Sequence, residues 1–396
     1  MPGGPMRSIK KTIWTCLIAA GLCLTAAAQT SIEKEFEAAN KDLARCVGAK
    51  DWKGALEVLE QEILLADRAG DPVIKAGVLY NKTCVLALAG RTGPAVSAAR
   101  EAVAAGYTDY DAYARDSDLD SLRADPEFKA FLADLKARYG PRPLVWDRTQ
   151  SAPPFETVFD GPDTPEFSEM RREFSIDDVV AGAKDDYEKL RRLTEWVSTR
   201  WEHSPNQTAS KTDPLTILRE AKAGGRFICR DYAVVLAGVA KAYGMPARVL
   251  NLLPRDVEVR SEAHSVAEVW LESRGKWVLA DGQYGTIGEL DGIPLNGIEL
   301  QAAFAADKPV RCVSGAAACG EWKPFILRNA FYFKIADDQR SYRRNFKRQL
   351  VLVPAGAAEP HKFAGGNEGV FEGAVYTSNP GSFYAAPNPG ALKSSG

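Results

Sequence analysis

The chain has 396 residues, longer than one ordinary domain, so two or three are expected. An apolar share of 45% is that of a globular protein, and 50 basic against 52 acidic residues exclude a general attraction to nucleic acid or anionic lipid. The local cluster Arg340, Arg343, Arg344, Lys347 and Arg348 reads as a solvated face.

Residues 1–28 read as a signal peptide. Arg7, Lys10 and Lys11 form a positive start, and Ile13 to Leu24 is an apolar stretch too short for a membrane span. Ala26-Ala27-Ala28 offers small residues for cleavage before Gln29. Cys23 follows Leu22 rather than a small residue, which disfavours lipid attachment there. No later apolar run is long enough to cross a bilayer, so the expectation is an exported protein, periplasmic or secreted, with no integral span after cleavage. Five cysteines then remain: Cys46, Cys84, Cys229, Cys312 and Cys319. An odd count leaves at least one thiol unpaired, and Cys229 is the candidate. The other four allow three pairings, and the sequence does not choose among them. Cys312 and Cys319 flank a loop short enough to close. No Cys/His pair at zinc-ligand spacing accompanies them, so neither a metal nor a cofactor is expected.

Residues 31–138 read as helices almost throughout, broken at Gly70-Asp71-Pro72, Gly90 and Gly106. Two stretches look like copies, one from Cys46 through Ala55-Leu56 to Leu59, the other from Leu86 through Ala95-Val96 to Ala99. Each is a helix, a short turn and a second helix with a small residue where the pair approaches closely. Residues 139–175 read as a linker or a wrapping segment, because Tyr139-Gly140-Pro141-Arg142-Pro143 and Ser151-Ala152-Pro153-Pro154 break regular elements. A helix follows from Asp185, with Tyr187, Leu190, Leu193, Trp196 and Val197 on one face. Asp213-Pro214 supplies an N-cap and a first-turn proline for the helix Leu215 to Lys222.

After Gly224-Gly225, Cys229 opens a helix that is apolar at Tyr232, Val235, Leu236, Val239, Ala240 and Tyr243 and stops at Gly244. Unpaired N–H groups and the positive dipole end lower the proton affinity of a thiol at that position, and the thiolate is the nucleophile. A strand is expected at Ala247 to Leu253. A hairpin follows, His264 to Leu271 and Lys276 to Asp281, joined by Glu272-Ser273-Arg274-Gly275. With Leu271 facing Lys276, Asp281 faces Val266, and His264 is its diagonal neighbour on the same face. A slip of one residue would separate them. His203 and His361 have no such setting. Cys229, His264 and Asp281 are the parts of a thiol acyl-transfer site: nucleophile, base and orienting acid. Glu268 and Asp231 are rival acids, and Arg226 and Tyr284 are weak candidates for the cleft. Trp270 and Trp277 read as hairpin packing. Residues 321–396 read as a β-rich extension of strands and loops, with strands at Ala330 to Ile335 and Gln349 to Val353 and a disordered end from Pro387.

Two resemblances carry these readings further. Cys229-Arg230-Asp231-Tyr232-Ala233, Tyr243-Gly244-Met245-Pro246-Ala247-Arg248-Val249, Ala263-His264 leading to Glu268-Val269-Trp270, and Gly275-Lys276-Trp277-Val278-Leu279-Ala280-Asp281 resemble the transglutaminase-like superfamily of papain-type thiol enzymes. Trp196-Val197 and Trp201 resemble the family's approach to the cysteine. The resemblance implies an α+β domain with an antiparallel sheet over residues 176–320. It also implies a Cys-His-Asp triad acting on a peptide or amide bond of a peptide or protein substrate, as acyltransferase or peptidase. Unlike the animal cross-linking enzymes, this chain has Arg230 beside the nucleophile and no acidic calcium loop, which puts calcium-dependent cross-linking in doubt. The helical region resembles tetratricopeptide repeats through Asn81, the Leu86, Gly90, Ala95 pattern and the tail Asp118-Leu119-Asp120-Ser121-Leu122-Arg123 with Asp125-Pro126-Glu127-Phe128. That resemblance implies a module that binds a protein partner. The alternative reading is a catalytically silent scaffold that keeps the fold while the helical repeats bind.

Overall fold

The computed structural model describes residues 26–151, 153–258, 262–313, 319–342, 345–363, 368–388 and 392–393. Most of the expected signal peptide, with Cys16 and Cys23, lies outside the described residues. The described chain falls into two compact units that part after Pro141. No helix among the described residues is long and apolar enough to cross a membrane.

The first unit is helical: α1 (Ala26–Gly48), α2 (Trp52–Ala69), α3 (Pro72–Leu88), α4 (Thr92–Ala104), α5 (Tyr110–Arg115) and α6 (Pro126–Tyr139). Local chemistry starts and stops them. The carboxylates of Asp51, Asp71, Asp109 and Asp125 each accept a first-turn backbone N–H. Gly70, at φ 64°, closes α2 in a conformation that a side chain would strain. Ala55 and Ala95, in corresponding places of the two similar stretches, are both fully buried. Cys46 and Cys84 are buried free thiols, so no disulfide joins them.

The second unit is built on one sheet. In chain order its elements are β1 (Phe159–Asp160), α7 (Pro165–Glu173), α8 (Ile176–Val180), α9 (Asp186–Ser198), α10 (Pro214–Lys222) and α11 (Cys229–Lys241). Next come β2 (Ala247–Leu253), β3 (His264–Leu271), β4 (Lys276–Asp281), β5 (Thr286–Leu290), β6 (Ile293–Pro294) and α12 (Gly297–Ala305). The last are β7 (Arg311–Val313), α13 (Cys319–Asn329), β8 (Tyr332–Ala336), β9 (Gln349–Leu352), β10 (Ala374–Thr377), α14 (Pro380–Phe383) and β11 (Leu392–Lys393). The sheet order is β10-β9-β8-β2-β3-β4-β5-β6, with β7 also on β5. Every pair is antiparallel except β9–β10. This is the expected α+β class.

Alternation along the strands gives the sheet two apolar faces. Ala247, Val249, Ala267, Val269, Val278 and Ala280 pack in one core with α7 to α11. Leu250, Leu252, Val266 and Leu279 pack in another with α12 and α13. Gly238 lets α10 cross α11 closely: a Cβ there would stand 2.5 Å from the Pro214 ring.

Two stretches differ from their sequence reading. Residues 139–175, read as a linker or a wrapping segment, are no plain linker: they hold β1 and α7, and the side chains of Phe167 and Met170 are fully buried in the α11 core. The prolines and glycines that suggest a linker break the chain into short pieces without excluding it from the core. Phe167→Ala is therefore expected to cost about 3–5 kcal/mol, read as a lower midpoint in thermal or denaturant unfolding. Residues 321–396, read as an extension, add β8, β9 and β10 to the same sheet, because β8 pairs with β2. Of the end expected to be disordered, Leu392–Lys393 pair in parallel with Phe159–Asp160; residues 389–391 and 394–396 lie outside the described residues.

Candidate thiol site

Three element ends meet at this site: α11 begins at Cys229, β3 begins at His264 and β4 ends at Asp281. The hairpin has the register that aligns the last two. Leu271 faces Lys276 and Ala267 faces Ala280, with Gly275 at φ 57° closing the loop. His264 pairs with Leu252, so it lies on the α13 side of the sheet. The start of α11 is held by aromatic packing. Tyr232 tilts against Trp201 at 4.2 Å between ring centres and donates its hydroxyl to the Trp201 carbonyl at 2.7 Å. Phe227 meets the Trp201 edge at 5.8 Å. The Ile228 N–H donates to the Gln207 carbonyl at 3.0 Å, and the Ser204 N–H donates to the Phe227 carbonyl at 3.1 Å.

His264 and Asp281 are both fully buried, and His264 Nε2 lies 2.7 Å from Asp281 Oδ2. Asp281 Oδ1 accepts the N–H groups of Gln283 and Tyr284, at 3.0 and 3.2 Å. The same carboxylate thus caps the turn before β5 and orients the imidazole. Nδ1 has no hydrogen-bond partner of ordinary geometry among the described residues, which leaves it open to the Cys229 thiol. That thiol is half-buried and free. Burial works against its ionisation, but the hydrogen bond and charge of His264, with the Ser265 backbone N–H, outweigh it, and its pKa falls below the ordinary 9.0. Burial likewise opposes the charged imidazole, yet the Asp281 carboxylate and the Cys229 sulfur push the pKa of His264 up to about 10. The two directions together describe a thiolate–imidazolium pair, which titrates as a unit.

The rival acids are engaged elsewhere. Glu268 holds Arg248 through Nε at 3.0 Å and a terminal guanidinium nitrogen at 2.6 Å, and accepts the Gly297 N–H at 2.9 Å. Asp231 is buried on α11 and faces Arg230 at 3.2 Å. Arg226 pairs with Glu202 at the surface. Tyr284 presents an edge to His264 at 6.2 Å. Trp270 and Trp277 pack across the hairpin at 5.8 Å. His361 contacts Tyr376, in a separate part of the unit. His203, given no role by the sequence, has its pKa held below 6.5 by burial and by the His264 charge.

Three residues at the site escaped the sequence reading. Trp322 donates its indole N–H to Asp281 Oδ2 at 2.8 Å, and Phe325 meets the His264 ring edge-on at 4.7 Å. Both lie on α13, a helix with Pro324 inside it, in a stretch read as strands and loops. Trp322 and Phe325, three apart, carried a helical signal. The third residue is Ser265, whose contribution is a backbone N–H and carries no signal in residue type. Cys312 and Cys319 form a disulfide that ties β7 to the first residue of α13.

Cys84, Asp116 and Asp118, in the helical unit, are the one group among the described residues with donors close enough to hold a metal. Asp116 already accepts the Tyr80 hydroxyl at 2.7 Å, the Cys84 thiol at 3.9 Å and the Asp118 N–H at 3.0 Å. Burial pushes the Cys84 thiol well above its ordinary range, so it serves there as a hydrogen-bond donor.

The sequence model of the transglutaminase-like superfamily matches residues 175–282. Among solved structures, a candidate cysteine protease from Cytophaga hutchinsonii is similar at 18% identity with a TM-score of 0.26. The match covers 39% of this chain and 54% of that one, so this chain spans about half the length of the solved protein it matches. No curated protein matches the chain.

Proposed function

Residues 175–282 form a transglutaminase-like domain, and from that premise we propose that the chain is an exported thiol enzyme acting on a peptide or amide bond. Cys229 is its nucleophile, His264 its base and acid, and Asp281 the group that orients His264. The observation that carries this reading is geometric: a free thiol at the first residue of α11, and a buried imidazole held 2.7 Å from the Asp281 carboxylate; the directions of the Cys229 and His264 shifts agree with it.

The reaction runs in two halves. The Cys229 thiolate attacks the carbonyl carbon and a C–S bond forms. The oxyanion takes the Cys229 backbone N–H at the start of α11, where no side chain caps the helix. As the C–N bond breaks, the imidazolium proton of His264 passes to the leaving amine. Neutral His264 then takes a proton from the acceptor, water or a second amine, which attacks the thioester and releases the thiolate. Asp281 orients the ring and stabilises the imidazolium.

Export to an oxidising compartment is part of the proposal and is supported by the Cys312–Cys319 disulfide. The helical unit is proposed as a surface for a protein partner, supported by its paired helices and the two similar stretches around Ala55 and Ala95.

The test is the pH dependence of Cys229 alkylation by iodoacetate, with His264→Ala beside it. In the wild type, reactivity rises as the pH passes the lowered thiol pKa, below 9.0, and falls as the imidazolium loses its proton near 10. His264→Ala returns the rise toward the ordinary thiol value and abolishes the fall. An ordinary thiol profile in the wild type would sink the proposal and favour the silent scaffold.

A further inference from the structure

Asp281 has four hydrogen-bond donors in its two oxygens' reach. His264 lies on the same hairpin, and the Gln283 and Tyr284 N–H groups belong to the turn that follows it. The fourth, the Trp322 indole N–H, comes from outside the residues that match the superfamily and reaches Oδ2, the oxygen that holds His264. An indole N–H only donates, so it fixes that oxygen as an acceptor and takes no part in proton exchange.

The ring is held by its surroundings. Trp322 is fully buried, with the Phe304 edge at 5.6 Å. Gly288 lies beside it, close enough that a Cβ there would stand 3.5 Å from the indole, an ordinary contact distance, and 2.6 Å from the Leu300 side chain. The helix is tied through Cys319 to Cys312 of β7, β7 pairs with β5, and Thr286 of β5 pairs with Asp281 itself. One turn on, Phe325 touches the His264 ring. Helix α13 thus contacts both members of the His264–Asp281 pair.

We propose that Trp322 is a positioning residue of the thiol site, holding the Asp281 carboxylate aimed at the His264 ring. The inference rests on the thiol-enzyme reading above. A buried tryptophan commonly finds some acceptor for its N–H, so the test must separate positioning from packing. Trp322→Phe keeps an apolar ring and removes the donor. Without it, one lone pair of a buried carboxylate is uncompensated, and Asp281 pulls harder on the His264 proton.

The experiment repeats the iodoacetate profile on the full chain carrying Trp322→Phe, Trp322→Gln or Asp281→Asn. Trp322→Phe is expected to move the alkaline limb upward by about one pH unit, a tenfold change in proton affinity. Trp322→Gln, which retains an N–H donor, returns the limb toward the wild type although it packs less well. Limbs that stay in place in Trp322→Phe, or that move alike in the Phe and Gln variants, overturn the inference. In the wild type, at least one indole N–H resonance should titrate with the alkaline limb; if none does, the inference also fails, and this measurement needs no variant to fold. Should the wild type and Asp281→Asn share one ordinary thiol profile, the thiol-enzyme reading itself fails. Should Asp281→Asn collapse the profile while Trp322→Phe leaves it intact, only the role of Trp322 is lost.

Discussion

Cys229→Ala is expected to lower turnover of a peptide or amide substrate by at least about 10⁴-fold, because the remaining groups can polarise a carbonyl but cannot form the thioester. The loss should fall in kcat, with the substrate still bound. No acyl adduct should appear in the mass spectrum of the intact protein. Cys84→Ala is the companion variant. Its thiol is buried in the helical unit and donates to Asp116, so its loss should leave turnover and labelling in place. Equal residual turnover in Cys229→Ala and the wild type would remove the nucleophile from the proposed mechanism.

Asp281→Asn should cost on the order of 10³–10⁴ in turnover, since an amide in that place no longer stabilises the imidazolium or selects its tautomer. It should also change stability in a pH-dependent way. His264 gains proton affinity on folding, from 6.5 to about 10. Its contribution is therefore fully present below pH 6.5 and is lost as the pH rises through about 10. Removing the carboxylate removes that contribution, so the difference in unfolding free energy between wild type and variant should be largest at neutral or mildly acidic pH and shrink toward pH 10. The amide also puts an N–H₂ group in place of one carboxylate oxygen, facing either the Gln283 and Tyr284 N–H groups or the Trp322 indole, donors that require an acceptor. A pH-independent difference would mean that His264 does not carry its charge in the folded protein.

The start of the cysteine helix and the hairpin register were legible because both are local. Glycines before Cys229, apolar spacing after it and Gly244 beyond it delimit α11 whatever surrounds them. A four-residue loop with Gly275 at its end sets which residues face each other, and once Leu271 faces Lys276, His264 and Asp281 share a face. Residue type also identified the N-cap Asp213, since a short carboxylate before a first-turn proline has one local use.

Contacts between residues distant in the chain decided the rest. Glu268 was a plausible rival to Asp281 until Arg248, directly across the β2–β3 pair, claimed it. The disulfide pairing depended on β7 running beside β5, which brings Cys312 to the start of α13. Residues 139–175 and 321–396 look peripheral by composition, yet Phe167 and β8 are core, because burial depends on what a segment meets after the chain has folded back. Trp322 stands beside Asp281 for the same reason: its neighbour is 41 residues away along the chain. Sequence by itself determined the helix end, the hairpin and the candidate chemistry at Cys229, His264 and Asp281, all through short-range periodicity and turn geometry. Only the tertiary structure decided which groups support that chemistry, since a side chain's acid–base behaviour follows from burial and from partners that no local pattern encodes.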